Sequence, residues 1–170
     1  MEILQFFSFE SLWNIWFWAA VVISWSVTCH FILGVPFDLV VMADRKGGQW
    51  ADHCDAMAQA QIFRMTQAFE SYGMASTCSA FFGLAAIGTM AFFLDLEAAQ
   101  ALFALLAPQA LVHGWSVPIA FRLRRMEAEG VVLRKALAKR RFWHQVAGLV
   151  AIALVTTVAV YDLAKDIKPF

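Results

Sequence analysis

The sequence predicts an all-α integral membrane protein: a four-helix bundle with a cytoplasmic or interfacial helical extension between its first and second helices. Three observations lead to this fold class. The chain is 61% hydrophobic and 15% charged, whereas soluble domains carry about 25% charged residues. It contains four apolar stretches, each of about 20 residues or more, which is the length that crosses a hydrocarbon core of about 30 Å. Eight of its thirteen Lys and Arg residues lie between Arg122 and Arg141, with an apolar stretch on either side.

The four stretches predict transmembrane helices within a single domain of residues 1–170, over residues 12–35, 72–94, 98–121 and 142–161. Pro36 is expected to end or kink the first helix, because proline lacks the N–H that continues a helix. The turn with Asp95 and Glu97 is very short, so the second and third helices are expected to be antiparallel neighbours. Pro108 and Pro118 are expected to interrupt the third helix.

Two polar segments separate these spans. Residues 49–72 follow a Gly47–Gly48 turn and contain neither Pro nor Gly. They predict a helix that lies at the interface or extends the second span into the cytoplasm. The basic block of residues 122–141 is divided by Gly130 and predicts two short helical pieces. Residues 1–11 contain no Lys or Arg, whereas a secretory signal begins with a basic stretch. The first helix is therefore expected to be retained.

The distribution of charge predicts the orientation, because short loops rich in Lys and Arg remain on the cytoplasmic face of the membrane. The loops after the first and third spans hold eleven Lys and Arg residues, and the rest of the chain outside the spans holds two. Four crossings with this bias place both termini on the side opposite the cytoplasm.

Two histidines inside apolar segments, His30 and His113, are the candidates for chemistry, because ionisable groups at membrane depth are functional hypotheses by default. Their predicted depths match, so the two imidazoles could ligate a b-type haem or a metal. The favoured alternative is that each makes an interhelical hydrogen bond, with Ser24, Ser26, Thr28 or Ser116 as possible partners. His144, beside Trp143, is expected at the interface. No cofactor is expected on the favoured interpretation, and haem b on the other.

The segment of Asp52, His53, Cys54 and Asp55 contains metal-type donors, but adjacent residues on a helix point in different directions. A solvated helix start is the favoured interpretation, and no metal site is expected. The three cysteines, Cys29, Cys54 and Cys78, are expected to be reduced. No phosphate-binding, hydrolase, metalloprotease or dinucleotide motif occurs, so no catalytic residue is predicted and the chain is not expected to be an enzyme.

Two further surfaces are predicted. A basic surface is expected to contact anionic lipid and to set orientation, with docking of a cytoplasmic protein as the sharper alternative. It comprises Arg122, Arg124, Arg125, Arg134, Lys135, Lys139, Arg140 and Arg141. Ala75, Ser79 and Gly83 recur at four-residue spacing and predict a helix-packing face. Membrane lipids and other integral membrane subunits are the expected partners, and nucleic acid is not.

Residues 25–48, WSVTCHFILGVPFDLVVMADRKGG, resemble a family of small bacterial four-helix membrane proteins. Some of its members carry the label "component of SufBCD complex". The matching positions are His30, Gly34, Val35, Pro36, Asp38, Arg45 and Gly48, and the resemblance extends more weakly to the AAQALF turn and the basic block. It implies a multi-pass protein of the bacterial inner membrane, with periplasmic termini on the charge bias above. The label implies iron–sulfur cluster assembly, but the chain has neither a cysteine ligand set nor an ATP site.

Three functions fit these observations. The first is a non-catalytic accessory or scaffold subunit of a larger bacterial inner-membrane complex, with respiratory and photosynthetic complexes as candidates. The second is a b-type haem-binding, quinone-reactive redox protein that uses His30 and His113. The third is the small membrane subunit of a secondary transporter, a family with four helices and cytoplasmic termini.

Overall fold

The computed structural model describes residues 15–166, without the side chains of residue 159 and residues 161–166. The chain is almost entirely helical, which confirms the all-α prediction. Its elements in order are α1 (Ile15–His30), β1 (Phe31–Ile32), β2 (Val35–Pro36), α2 (Phe37–Lys46), α3 (Gln49–Phe92), α4 (Glu97–Arg125) and α5 (Gly130–Asp166).

Three helices, α3, α4 and α5, are long and apolar enough to cross a membrane, judged by length and composition. The described part of α1 is apolar but shorter, at 16 residues. The first predicted span begins at residue 12, and residues 12–14 lie outside the described part of the chain. The apolar character of all four predicted spans therefore recurs in the helices.

A buried β-hairpin follows α1, where the sequence predicted helix as far as residue 35. Ile32 pairs with Val35 in antiparallel register, and both side chains are fully buried. The two turn residues, Leu33 (φ 53°) and Gly34 (φ 81°), both have positive φ, as a tight two-residue hairpin requires. The first helix therefore ends five residues early, because Gly34 supplies the left-handed conformation and Pro36 cannot donate to a helical ladder.

The short helix α2, which directly follows the hairpin, was not predicted. It buries Val40 and Ala43, while its last turn carries Arg45 and Lys46. Gly47 (φ 61°) and Gly48 (φ 52°) then form the predicted turn. From there α3 runs without a break for 44 residues, about 66 Å at 1.5 Å per residue. The polar segment 49–72 is thus an extension of the second apolar helix, one of the two arrangements that the sequence allowed.

The basic block does not form two short helical pieces. It consists of the last turn of α4 and the first three turns of α5, joined by a turn in which Glu127 (φ 46°) and Gly130 (φ 58°) have positive φ. Pro108 and Pro118 both lie inside α4, which continues through them. Each proline removes one helical N–H, but the hydrogen bonds on either side of it remain, and α4 is continuous.

The helices pack most tightly at one end, which we call the basic end: α2, the first third of α3, and the α4–α5 junction. A continuous apolar core there joins Ile32 and Val35 of the hairpin to Cys54, Ala120 and Leu133. A smaller cluster lies among α1, α4 and α5, around Val21, Trp25, Val112 and Ala151. The rest of the molecule, which we call the apolar half, comprises α1, residues 72–92 of α3, residues 97–121 of α4 and residues 142–158 of α5. It is much less enclosed.

Candidate functional site

A chain of polar side chains crosses the apolar half between α1 and α4. The Thr28 hydroxyl donates to Gln109 Oε1 over 2.7 Å, and Gln109 Nε2 donates to Ser24 Oγ over 3.1 Å. Ser24 in turn donates to the carbonyl oxygen of Val21 over 3.0 Å. Gln109 thereby satisfies both ends of its amide with partners one helical turn apart on α1. These bonds fix the register of α1 against α4.

The network continues into α5 through His144, whose side chain is only 2% exposed. Its Nδ1 lies 3.2 Å from the carbonyl oxygen of Thr28. Because a carbonyl oxygen only accepts, Nδ1 carries the proton of this bond. The Nε2 atom of His144 has no hydrogen-bond partner among the described residues. A buried histidine thus joins α5 to α1.

Arg140 lies one turn before His144 and is 4% exposed. Its Nη2 donates to the Val112 carbonyl over 2.6 Å and to Ser116 Oγ over 3.0 Å, and its guanidinium carbon lies 5.5 Å from the Trp115 ring centre. Within the described part of the chain, no carboxylate forms an ion pair with Arg140, and its Nε has no hydrogen-bond partner. This cation is therefore held by neutral oxygens and an aromatic face.

The two histidines singled out from the sequence have different surroundings. His30 is exposed, stacks edge-on against Phe31 and lies 3.9 Å from Asp38. His113 is exposed on α4, within electrostatic reach of Arg140. No described hydrogen bond links either ring to another helix. The haem hypothesis stays a prediction, which an absorbance spectrum of the purified protein would test.

Sequence reasoning missed the polar residues that do connect the helices. His144 was expected at the interface, but the structure buries it, and Gln109 was not considered. The signals were present: a glutamine beside Pro108 within an apolar segment, and an Arg–His pair at four-residue spacing on one face of α5. Ser24, Thr28 and Ser116 were anticipated as hydrogen-bond partners, but of His30 and His113 rather than of Gln109 and Arg140.

The eight residues of the predicted basic surface divide into two groups. Arg134 and Arg140 are buried, Arg124 donates to Thr66 Oγ1 and Glu70 Oε1, and Arg141 lies over the Phe37 ring at 3.9 Å. The four that remain exposed are Arg122, Arg125, Lys135 and Lys139. The prediction of one exposed surface with eight members is therefore corrected. Four of the eight residues contact the backbone or side chains of neighbouring helices.

Arg134 contacts one acidic residue of the predicted polar cluster, Asp55, and also Asp44 at the end of α2. Its Nε donates to Asp44 Oδ1 over 2.6 Å, and its Nη1 lies 3.8 Å from Asp55 Oδ1. Asp55 Oδ2 also accepts from the Gly130 backbone N–H over 2.9 Å, at the first residue of α5. Asp52 and His53 are exposed, as a solvated helix start predicts, whereas Cys54 is fully buried. The described residues contain no group of three or more His, Cys, Asp or Glu side chains that could hold a metal ion.

Burial raises the pKa of the Cys54 thiol, and the negative charge of Asp55 raises it further against the opposing effect of Arg134. Cys54 lies in the part of α3 that precedes the apolar half. Because its pKa is raised, the thiol is protonated at neutral pH and packs as an apolar core residue.

The small-residue face of α3 has no neighbouring helix within the described part of the chain. Ala75 and Ser79 are exposed, and a Cβ added to Gly83 would meet no atom within 4 Å. The glycine that contacts α4 is Gly88, which faces the Phe103 ring. Packing of the predicted face against another helix thus stays a prediction that would involve a different chain.

An open groove of about 850 Å³ runs along α4 and α5 in the apolar half. Phe103 and Leu111 of α4 and Val150 and Leu154 of α5 are among its walls, and Trp115 closes the end nearest Arg140. The groove follows α4 from Gln100 to Trp115, about 22 Å at 1.5 Å per residue. Its lining is apolar apart from Gln100.

Comparison with known proteins finds no match to the chain among family models, curated proteins or solved structures.

Proposed function

We propose that the chain is an integral membrane four-helix bundle of the bacterial inner membrane and serves as a non-catalytic accessory or scaffold subunit of a larger complex. Its basic end lies in the cytoplasm and both termini lie in the periplasm. The resemblance of residues 25–48 to small bacterial membrane proteins supports the compartment, and respiratory and photosynthetic complexes are the first candidates for the assembly.

The observation that carries this proposal is the uncovered apolar surface of α3. Between residues 72 and 92, only Gly73 and Ala91 are buried. Large side chains stand free, including Met74 at 85% and Phe82 at 77% exposure. Apolar surface left in water costs about 25 cal/mol per Å², and large exposed apolar patches mark membrane or protein contacts. A lipid bilayer or another membrane helix removes this cost.

Two features favour protein partners in addition to lipid. The bilayer gives no hydrophobic drive between helices, so helix association depends on close packing and interhelical hydrogen bonds. The unpaired face of Ala75, Ser79 and Gly83 allows the close approach of a second backbone. The groove along α4 and α5 has the length of a large part of a membrane crossing, and a partner helix would fill it.

The polar network favours a structural role. Each hydrogen bond of Ser24, Thr28, Gln109 and His144 described here joins one helix to another or to its own backbone. None of these residues lines the groove, which contains only Gln100 as a polar member. The buried polar groups thus hold helices together and do not converge on a substrate-sized cavity.

Affinity purification of the tagged chain from a mild detergent, followed by native mass spectrometry, tests the proposal. We expect the wild-type chain to elute with other membrane subunits at fixed stoichiometry. The double variant Ser79→Leu, Gly83→Leu fills the small-residue face and is expected to lose them. Ala85→Leu is the matched control, since Ala85 is exposed and lies about one third of the way around α3 from Ser79.

Elution of the wild-type chain alone would refute the subunit role. An equal loss of partners in Ala85→Leu would show that the small-residue face is not the surface that binds them. A separate test of membrane insertion is flotation of the protein with liposomes after a carbonate wash. A chain that stays in the soluble fraction would overturn the membrane proposal as a whole.

A further inference from the structure

Two exposed arginines stand at the mouth of an apolar depression between α3 and α4. Arg122 and Arg125 lie in the last turn of α4, and neither forms an ion pair with a described carboxylate. Their neighbour Arg124 faces the other way and is paired with Glu70 over 3.0 Å. The acids of the following turn, Glu127 and Glu129, line a separate cleft on the Arg124 side. The charge of Arg122 and Arg125 is therefore uncompensated.

The depression continues from these arginines into the apolar half. Two adjoining hollows, of about 450 and 430 Å³, share Pro118 and Arg125. The first hollow is walled by Phe69, Phe121 and Val117, with Thr77 and Gly114 at its far end. A Cβ added to Gly114 would meet no atom within 4 Å, so the absent side chain leaves the floor open.

The dimensions of this groove match one leaflet of a bilayer. From Gly114 to Arg125, α4 rises about 17 Å at 1.5 Å per residue, which is about half of a hydrocarbon core of roughly 30 Å. Gly114, Pro118, Arg122 and Arg125 succeed one another on one face of the helix at four- and three-residue spacing. The cationic end therefore lies at headgroup level when the apolar end lies at acyl-chain depth.

We propose that this groove binds one anionic phospholipid of the leaflet at the basic end. Arg122 and Arg125 donate to its phosphate, since guanidinium groups pair well with phosphate oxygens. One acyl chain lies along Gly114 and Pro118, beside the edge-to-face pair of Phe69 and Phe121. This inference rests on the membrane insertion proposed above and adds a defined lipid site to it.

Native mass spectrometry of the purified protein, titrated with phosphatidylglycerol or with phosphatidylcholine of the same acyl chains, measures the selectivity. We expect the wild-type chain to retain phosphatidylglycerol preferentially. The variant Arg122→Gln, Arg125→Gln is expected to bind it about 30-fold more weakly, which corresponds to about 2 kcal/mol at about 1 kcal/mol for each basic residue. Gly114→Leu, which fills the groove and leaves the charges in place, is expected to weaken binding at least about tenfold.

The control variant Lys135→Gln, Lys139→Gln removes the same charge from two exposed residues at the same end of the molecule but outside the groove. It is expected to bind as the wild type does. Equal binding of the two lipids by the wild type would overturn the proposal, as would an equal loss in the control variant. Displacement of the lipid by glycerol phosphate at the same concentration would show that the acyl groove plays no part and would also overturn it.

The test separates this inference from the proposed function. Wild-type protein that floats with liposomes but binds both lipids equally refutes the lipid site alone. Protein that does not float refutes the membrane proposal. All four chains are compared at matched elution volume in size-exclusion chromatography, and Gly114→Leu supplies a second variant whose charges are those of the wild type.

Discussion

At the scale of single residues, Arg140 places a formal charge between α4 and α5. Its guanidinium is held by the Val112 carbonyl, by Ser116 and by the face of Trp115. Hydrogen bonds from a charged donor are roughly twice as strong as neutral ones, and an aromatic face adds a cation–π contribution. These contacts offset part of the cost of removing the charge from water.

Arg134 lies between two carboxylates and forms an ion pair with each of them. Asp44 and Asp55 lie on different helices, and each faces a different nitrogen of the same guanidinium. Asp55 is the more enclosed of the two, with its side chain 22% exposed against 57% for Asp44. Without Arg134, Asp55 would keep one backbone hydrogen bond and an uncompensated charge.

We therefore expect Arg134→Met to destabilise the basic end by about 2 kcal/mol. Removal of one partner from a buried ion pair costs about 3–5 kcal/mol, and the solvent around Asp44 reduces that figure. Thermal unfolding in detergent, followed by circular dichroism, measures the change. Lys135→Met, at the exposed neighbouring position, should unfold like the wild type. A similar loss in both variants would mean that the ion pairs are not the cause.

The Cys54 thiol is expected to react slowly with N-ethylmaleimide at neutral pH. Its side chain is fully buried, and its pKa is raised by that burial and by Asp55. Because the folded state favours the neutral thiol, this residue adds stability below the pKa of an unfolded cysteine, and the contribution is lost as pH rises through the higher folded value. Labelling followed by peptide mass spectrometry gives the rate. A cysteine introduced by Ala60→Cys, exposed six residues along α3, should react at least ten times faster, and equal rates would contradict the burial of Cys54.

At the scale of elements, the close approach of α1 and α5 depends on one glycine. A Cβ on Gly148 would lie 3.0 Å from the Trp25 ring, nearer than real Cβ atoms normally come. Trp25 is buried in the small cluster with Val112 and Ala151. An indole ring therefore occupies the space that a side chain at residue 148 would need.

Gly148→Leu is expected to destabilise the protein by about 2 kcal/mol, because a side chain inserted into a packed interface forces neighbours from their positions. Thermal unfolding in detergent measures it. Ala85→Leu, at an exposed position of α3 outside the small-residue face, serves as the control and should not lower the midpoint. If both variants unfold at the wild-type temperature, Trp25 and Gly148 do not define the α1–α5 contact.

The hairpin after α1 shows why some elements escape sequence reasoning. An apolar stretch that ends at Pro36 fits a helix and a short β-hairpin equally well, because hydrophobicity alone does not distinguish the two. Leu33 adopts positive φ although it is not glycine. Such strain is tolerated only where the surroundings hold it, and here Ile32 and Val35 anchor both strands in the core. That burial depends on α3 and α5, which lie far along the sequence.

At the scale of the whole molecule, the two basic segments meet at one end. The Asp44–Arg134 bond joins the end of α2, which carries Arg45 and Lys46, to the start of α5. The loops that the sequence assigned to one side of the membrane are therefore neighbours in the fold. The charge bias and the tertiary contacts favour the same orientation.

We expect alkaline phosphatase fused after Phe170 to be active in a bacterial host and a green fluorescent protein at the same site to be dark. The same two reporters inserted in the turn at residues 126–129 should behave in the opposite way, because eleven Lys and Arg residues outside the spans lie on that side. A cytoplasmic C-terminus would overturn the orientation and would revive the secondary-transporter hypothesis, whose family has cytoplasmic termini.

The sequence alone determined the helical class, the apolar stretches, the antiparallel pairing of α3 with α4 and the grouping of charge. These follow from composition and local spacing, which act over a few residues. The tertiary structure decided which basic residues stay free, that His144 and Gln109 join the helices, and that Arg122 and Arg125 face an open groove while Arg124 does not. Those outcomes depend on which residues of distant helices come within hydrogen-bond reach. Arg124 and Arg125 are adjacent and chemically identical, but Arg124 lies within hydrogen-bond reach of Thr66 and Glu70 on α3.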